Sequence, residues 1–178
     1  MRRAVEKLAA GRWPQGEAVA TVTLDFDDRY RRRIRLTDDA GEPFLLDLAD
    51  ATRLDDGDGL RLEGGGIIAV RAADEPVADA YGDTPARTAR IAWHLGNRHT
   101  AIQVLPDGGI RIRRDHVLVD MLRGIGATVT ERAGPFMPER GAYESLGGHG
   151  HHHGHDDHHD HGQDHDHPLG HDHHSHDH

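Results

Sequence analysis

Cysteine is absent from the 178 residues, which excludes disulfides, thiol nucleophiles, Cys-based zinc fingers and iron–sulfur centres. Aromatic residues make up only 4% of the chain, so small aliphatic side chains must fill any core. Serine is confined to Ser145 and Ser175 and no His-Glu-x-x-His run occurs, so no nucleophile or three-ligand metal motif points to an enzyme. Lys7 is the single lysine beside many arginines, a bias from which no function follows. The opening Met1-Arg-Arg-Ala is not followed by the apolar run, about 7 to 15 residues long, of a secretory signal. No stretch reaches the roughly 18 apolar residues of a membrane-crossing helix. The sequence therefore reads as a soluble, cytoplasmic protein with no membrane partner.

What the chain does contain is unevenly distributed. Acidic residues outnumber basic ones 31 to 21, but the excess lies mostly beyond residue 148, where seven aspartates face no lysine or arginine. Of the 18 histidines, 15 lie in that same segment and only His94, His99 and His116 precede it. The chain thus divides into a mixed-composition body and a histidine-rich tail.

The fold class expected is α+β: an N-terminal all-β domain, a C-terminal ferredoxin-like (βαββαβ) domain and a tail. In the first, Ala18–Phe26 and Tyr30–Leu36 are rich in β-branched and alternating residues, and Asp27-Asp28 between them suggests an antiparallel pair. Turn clusters at 37–41, 55–59 and 64–66 separate further short strands over 44–48, 60–62 and 67–70. This predicts a β domain over residues 1–73, with Ala72-Ala-Asp-Glu-Pro76 as linker. In the second domain, residues 74–148, a strand over 77–81 precedes Asp83-Thr84-Pro85, which caps a helix running to Leu95 and stopping at Gly96-Asn97. Strands over 101–105 and 109–112 flank Pro106-Asp-Gly108, a hairpin signal. Asp115 caps a second helix ending at Gly126, and 127–132 closes as a strand. That order is the split β-α-β pattern. Residues 149–178 hold one leucine and no other sizeable apolar side chain, too little to offset the entropy of ordering, so a disordered tail is expected.

Imidazole offers a nitrogen lone pair near neutral pH and suits Ni, Zn and Cu better than Mg or Ca. The tail donors are His149, His151, His152, His153, His155, His158, His159, His161, His165, His167, His171, His173, His174, His176 and His178. At three or four imidazoles per ion they form a chelator for about four ions. The longest run is three histidines, punctuated throughout by Asp and Gly, unlike an affinity tag. Composition does not select the metal, and on spacing alone a lone histidine near a helix end, such as His94, His99 or His116, is more often a packing or capping residue than a ligand.

Trp93-His-Leu-Gly-Asn-Arg-His99, Ile102-Gln103, Asp115-His-Val-Leu118, Met121-Leu122, Pro138-Glu139 and Gly141-Ala-Tyr143 stand ahead of the histidine-rich end. Together they resemble the urease accessory metallochaperone family (UreE-type) over most of the chain. The resemblance implies an N-terminal β domain similar to peptide-binding modules and a ferredoxin-like domain that binds metal and dimerises. It further implies Ni(II) as the cargo, with Zn(II) or Cu(II) able to compete, and delivery to the urease maturation complex through an accessory GTPase. It makes His99 the residue that, with its copy across a homodimer two-fold axis, holds one Ni ion, with tail residues available to complete the shell. His116 matches a possible peripheral site, although the usual histidine two residues earlier is Arg114 here. His94 and Asp115 take supporting roles.

Three other readings are weaker. Tyr30-Arg-Arg-Arg-Ile-Arg35 suggests nucleic-acid binding, but its arginines alternate across a strand beside Asp25, Asp27 and Asp28, as in a solvated ion-paired face. Asp55–Gly59 superficially resembles a calcium loop but lacks the distal Glu and reads as a turn. Passive metal storage without a client needs no two-domain body.

Overall fold

The first strand of the protein is one that hydropathy hides. In the computed structural model, which describes residues 1–141, Arg2–Leu8 forms β1, with Ala4 fully buried and Arg3 and Glu6 exposed. It runs parallel to β4 (Pro43–Arg53) and antiparallel to β5 (Gly59–Leu62). β2 (Ala18–Leu24), β3 (Tyr30–Thr37) and β6 (Ile67–Ala72) complete a six-stranded sheet in the order β2-β6-β5-β1-β4-β3. Phe44, Leu46, Leu60, Ile68 and Val70 are fully buried at its core. The expectations placed on residues 142–178, the tail histidines among them, lie outside the described residues.

The antiparallel pairing expected of β2 and β3 is not formed. The two strands lie at opposite edges, β2 parallel to β6 and β3 antiparallel to β4. The reason is local. Asp-Asp lacks the left-handed residues of a tight hairpin turn; instead Asp25 Oδ1 accepts from Asp28 N (2.9 Å) and Asp27–Arg29 winds into a 3₁₀ turn. Arg29, only 1% exposed, goes inward, so the chain crosses over rather than doubling back. The hairpin instead joins β3 to β4, where Asp38 Oδ1 accepts from Ala40 and Glu42 N–H and Oδ2 from Arg2. The Arg2 guanidinium, followed by the Glu42 N–H, holds the Asp38 carboxyl below the usual range.

The linker expected over residues 72–76 shrinks to Ala73 alone, because β7 begins at Asp74 and runs to Tyr81. Pro76 is tolerated within β7 because β9 pairing starts only at Val77; its carbonyl accepts from Arg114 N (2.9 Å). The two sheets are joined closely. Glu75 Oε1 accepts from Phe26 N (2.7 Å), Arg113 pairs with Asp27 (2.7 Å), and Arg29 Nη2 donates to Phe136 O. Phe26 meets Phe136 edge to face with centroids 5.3 Å apart. Both sheets belong to one compact unit, Met1–Gly141.

From β7 the chain follows the anticipated ferredoxin-like order through α1 (Pro85–Gly96), β8 (Gln103–Val104), β9 (Ile110–Arg113), α2 (His116–Gly124) and β10 (Thr128–Pro135). All pairs in the β10-β7-β9-β8 sheet are antiparallel. Thr84 caps α1 by accepting from Arg87 N, and Asp115 caps α2 by accepting from Leu118 N. Ile91 and Leu95 of α1 and Val119 and Leu122 of α2 pack on Ala78, Ala80, Ile110 and Ile112. β8 is shorter than the 101–105 expected because the Ile102 carbonyl is taken by Glu139 N (2.7 Å).

The sheet face away from the helices carries Asp79 and Arg111. The guanidinium donates to both carboxylate oxygens (2.6 and 2.8 Å) and to Pro135 O (2.9 Å). The side chains are only 5% and 9% exposed, so removing one partner strands a buried charge. Asp79→Ala should cost about 3–5 kcal/mol, read as a lowered denaturation midpoint; an unchanged midpoint would mean the pair is hydrated.

Candidate metal centre

The βαββαβ order sets α1 and α2 antiparallel, so the C-terminal end of one helix and the N-terminal end of the other share a pole of the domain. His94 and His99 stand at the end of α1 and His116 at the first position of α2. The start of β8, the end of β9 and the start of β7 share that pole, where Thr100, Arg114, Asp115, Glu75 and Phe26 line one recess. The three body histidines are thus brought to one end of the domain. Nevertheless, among the described residues no three His, Cys, Asp or Glu side chains converge as a metal cage.

His99 is set apart by its backbone. Thr100 N donates to Leu95 O (3.2 Å) and His99 N to Gly96 O (2.9 Å), the two bonds of a Schellman cap. This puts His99 at the left-handed position of the cap, with φ +52°, and among the described residues it is the only non-glycine with positive φ. Glycine is the usual occupant there because a Cβ is crowded in that region. A histidine held in such a conformation, exposed at a helix end, points to a use for the imidazole. The sequence concealed this because Gly96-Asn97 already looked like the terminator, whereas the left-handed residue comes three positions after Gly96.

The neighbours of His99 are built around it. Arg98 Nη1 donates to His94 O (2.9 Å), covering a terminal helix carbonyl. The His94 ring, half-buried, meets Trp93 edge-on at 4.9 Å. Trp93 itself is 63% exposed and Val117, on α2 at the same pole, 62%. Downstream, the segment after β10 returns beside β8. Met137 N donates to Gln103 Oε1 (2.9 Å) and Val104 N to Glu139 Oε1 (3.1 Å). With the Glu139 N to Ile102 O bond, this fixes residues 137–139 against those three to five positions after His99.

His116 is exposed, and Asp115 beside it spends one oxygen as the α2 cap. Arg114 pairs with Glu131 (3.4 Å), which also receives Arg123 (3.0 Å). A peripheral site at His116 therefore has an ion-paired arginine two residues upstream. The 55–59 turn holds no free cage: Asp58 accepts from Ala10 N, Asp55 N and Lys7 Nζ, and Asp56 from Ala72 N. Among the described residues no helix is long and apolar enough to cross a membrane.

The family profile of the UreE urease accessory protein N-terminal domain matches residues 2–73, and that of the C-terminal domain residues 75–178. Urease accessory protein UreE of a Bradyrhizobium strain (BTAi1) is 48% identical over 143 residues, 80% of this chain and 68% of the relative. The Chelativorans protein of the same name is 49% identical over 137 residues, 76% of this chain and 86% of the relative. That of Rhodobacter capsulatus is 46% identical over 153 residues, 86% and 94% of the two chains.

Proposed function

Because the chain belongs to the UreE family of urease accessory proteins, an assembly helper rather than an enzyme, we propose that it is a nickel metallochaperone. It collects Ni(II) and delivers it to the urease maturation complex, through an accessory GTPase, for assembly of the urease metallocentre. The observation that carries this reading is His99: one exposed imidazole in a left-handed cap, with no group of three donors among the described residues to hold an ion within one chain.

One imidazole per chain becomes two on a two-fold axis, so a homodimer through this pole supplies a pair. The exposed Trp93 and Val117 support such an association, since apolar area of this kind is covered in stable interfaces. The tail imidazoles form the collecting pool, and a single-ion pair at His99 holds nickel in transferable form, each ligand dissociating singly. Zn(II) and Cu(II) compete by the same nitrogen donors. The site of action is the cytoplasm, where the metallocentre is assembled. His116 remains a peripheral donor in this scheme, with His94 and Asp115 shaping the pole.

Storage without a client predicts a different outcome in one experiment. Nickel-loaded protein, mixed with urease apoprotein and its accessory proteins in excess chelator, should yield active urease, whereas the same total Ni(II) added as salt should not. Equal activity from both, or none from either, would count against delivery.

A further inference from the structure

Three guanidinium groups converge on one phenyl ring where the two sheets meet. The charged carbons of Arg29, Arg53 and Arg113 lie 5.8, 5.9 and 5.5 Å from the centroid of Phe26. Arg113 is exposed and ion-paired with Asp27. The other two have unmet donors. Arg29 gives Nε to Asp25 O (3.3 Å) and Nη2 to Phe136 O, but its buried Nη1 has no hydrogen-bond partner among the described residues. The buried Nε of Arg53 is likewise unmatched. Asp55 Oδ1 lies 3.0 Å from it but out of line for a hydrogen bond, and Asp55 Oδ2 is taken by Arg140. Leu54 N donates to Arg29 O (2.7 Å) and Tyr30 is the register partner of Arg53, so the two arginines leave the backbone side by side.

A buried N–H without an acceptor is costly, and native proteins leave few of them. Here two such donors belong to neighbouring cations. Burial, followed by the charge of Arg53, lowers the Arg29 pKa, with Glu75, Asp55 and Asp56 acting in the opposite sense. A water between the two guanidiniums would accept from both but bring protons of its own into a cationic setting. An anion accepts from both and relieves the repulsion. Two unmet donors suit a monatomic ion better than an oxyanion, whose further oxygens would need further donors. We propose that Arg29 and Arg53 form a halide site, occupied by chloride, at the junction of the two sheets. The side chain of Arg53, 16% exposed, leaves the ion a way in. Because Arg29 also holds the Phe136 carbonyl, chloride steadies the segment that ties the junction to β8. The site does not rest on the nickel reading.

The test is a thermal melt of the full chain, free of metal, at about pH 8, where imidazoles are mostly uncharged. Sodium chloride is raised to about 150 mM against sodium gluconate, so that charge screening stays constant. A saturable rise in melting temperature of roughly 2–4 °C is expected, as for a one-site ligand a few times above its dissociation constant. Broadening of the chloride NMR line by the protein, reversed by bromide and not by gluconate, reads the ion directly. Arg53→Gln should remove both signals. Arg113→Gln, which changes the same ring's surroundings but spares both unmet donors, should keep them. No chloride effect on the parent, or an equal effect on Arg53→Gln, overturns the proposal. Stabilisation by phosphate but not by chloride overturns the halide assignment. Should Arg53→Gln not fold, the parent decides alone: a chloride line that bromide leaves broad, or that is never broadened, overturns the site.

Discussion

Truncation after Gly148 is expected to collapse nickel capacity from several ions per chain to one ion per two chains. The argument is a count of donors. Fifteen of the 18 histidines lie beyond the cut, enough for about four ions at three or four imidazoles each. The body retains His94, His99 and His116, of which none forms a three-donor group with its neighbours among the described residues. In the proposed scheme the shortened protein holds its tightest nickel by sharing His99 between two chains, so a remaining stoichiometry of one half is expected. Calorimetric titration of both lengths with Ni(II) reads this directly. Full capacity after truncation would place the donors in the body and remove the collecting role of the tail.

In the shortened protein, His99→Ala and His99→Gly should both abolish the remaining site but should part company in stability. Alanine keeps a Cβ in the left-handed cap position, so its melting temperature should stay near that of the parent. Glycine relieves the crowding at φ +52°, partly offset by the entropy it adds to the unfolded chain. A net gain of about 1 kcal/mol is expected, roughly 2–4 °C in melting temperature for a chain of this size. A variant more stable than the parent and devoid of nickel would identify His99 as a residue kept at the expense of stability. Because Trp93 adjoins His94 near the cap and is mostly exposed, loss of Ni-induced quenching of its fluorescence gives a second readout. Retained affinity in both variants would remove His99 from the site.

Much of the ferredoxin-like part is legible because its signals are local. Thr84-Pro85, Asp115 and Pro106-Asp-Gly108 each act within a few residues, and both helices carry their apolar positions at helical spacing. The six-stranded sheet is less legible because its pairings are remote: β1 pairs with strands some forty to sixty residues away. Its Arg-Arg-Ala-Val-Glu-Lys-Leu sequence alternates too weakly to announce a strand. The β2–β3 pairing failed for a physical cause, the inward turn of Arg29, whose burial depends on Phe26 and the Phe136 carbonyl just past the end of β10. Similarly, Ala72–Pro76 looks like a linker by composition, yet edge placement beyond β9 lets Pro76 sit in a strand. At the candidate metal centre, spacing did not single out His99 and only the Gly-Asn-Arg-His resemblance selected it. The left-handed backbone at that residue is an independent pointer that emerges only once the helix end is folded.

The account depends most on two chains sharing one nickel ion through His99. Its direct measurement is the native mass of the protein truncated after Gly148, taken with and without one equivalent of Ni(II) per two chains. A dimer carrying a single nickel, absent from the His99→Ala variant, is the predicted result; a monomer that binds its own ion, or a dimer that binds none, would contradict it.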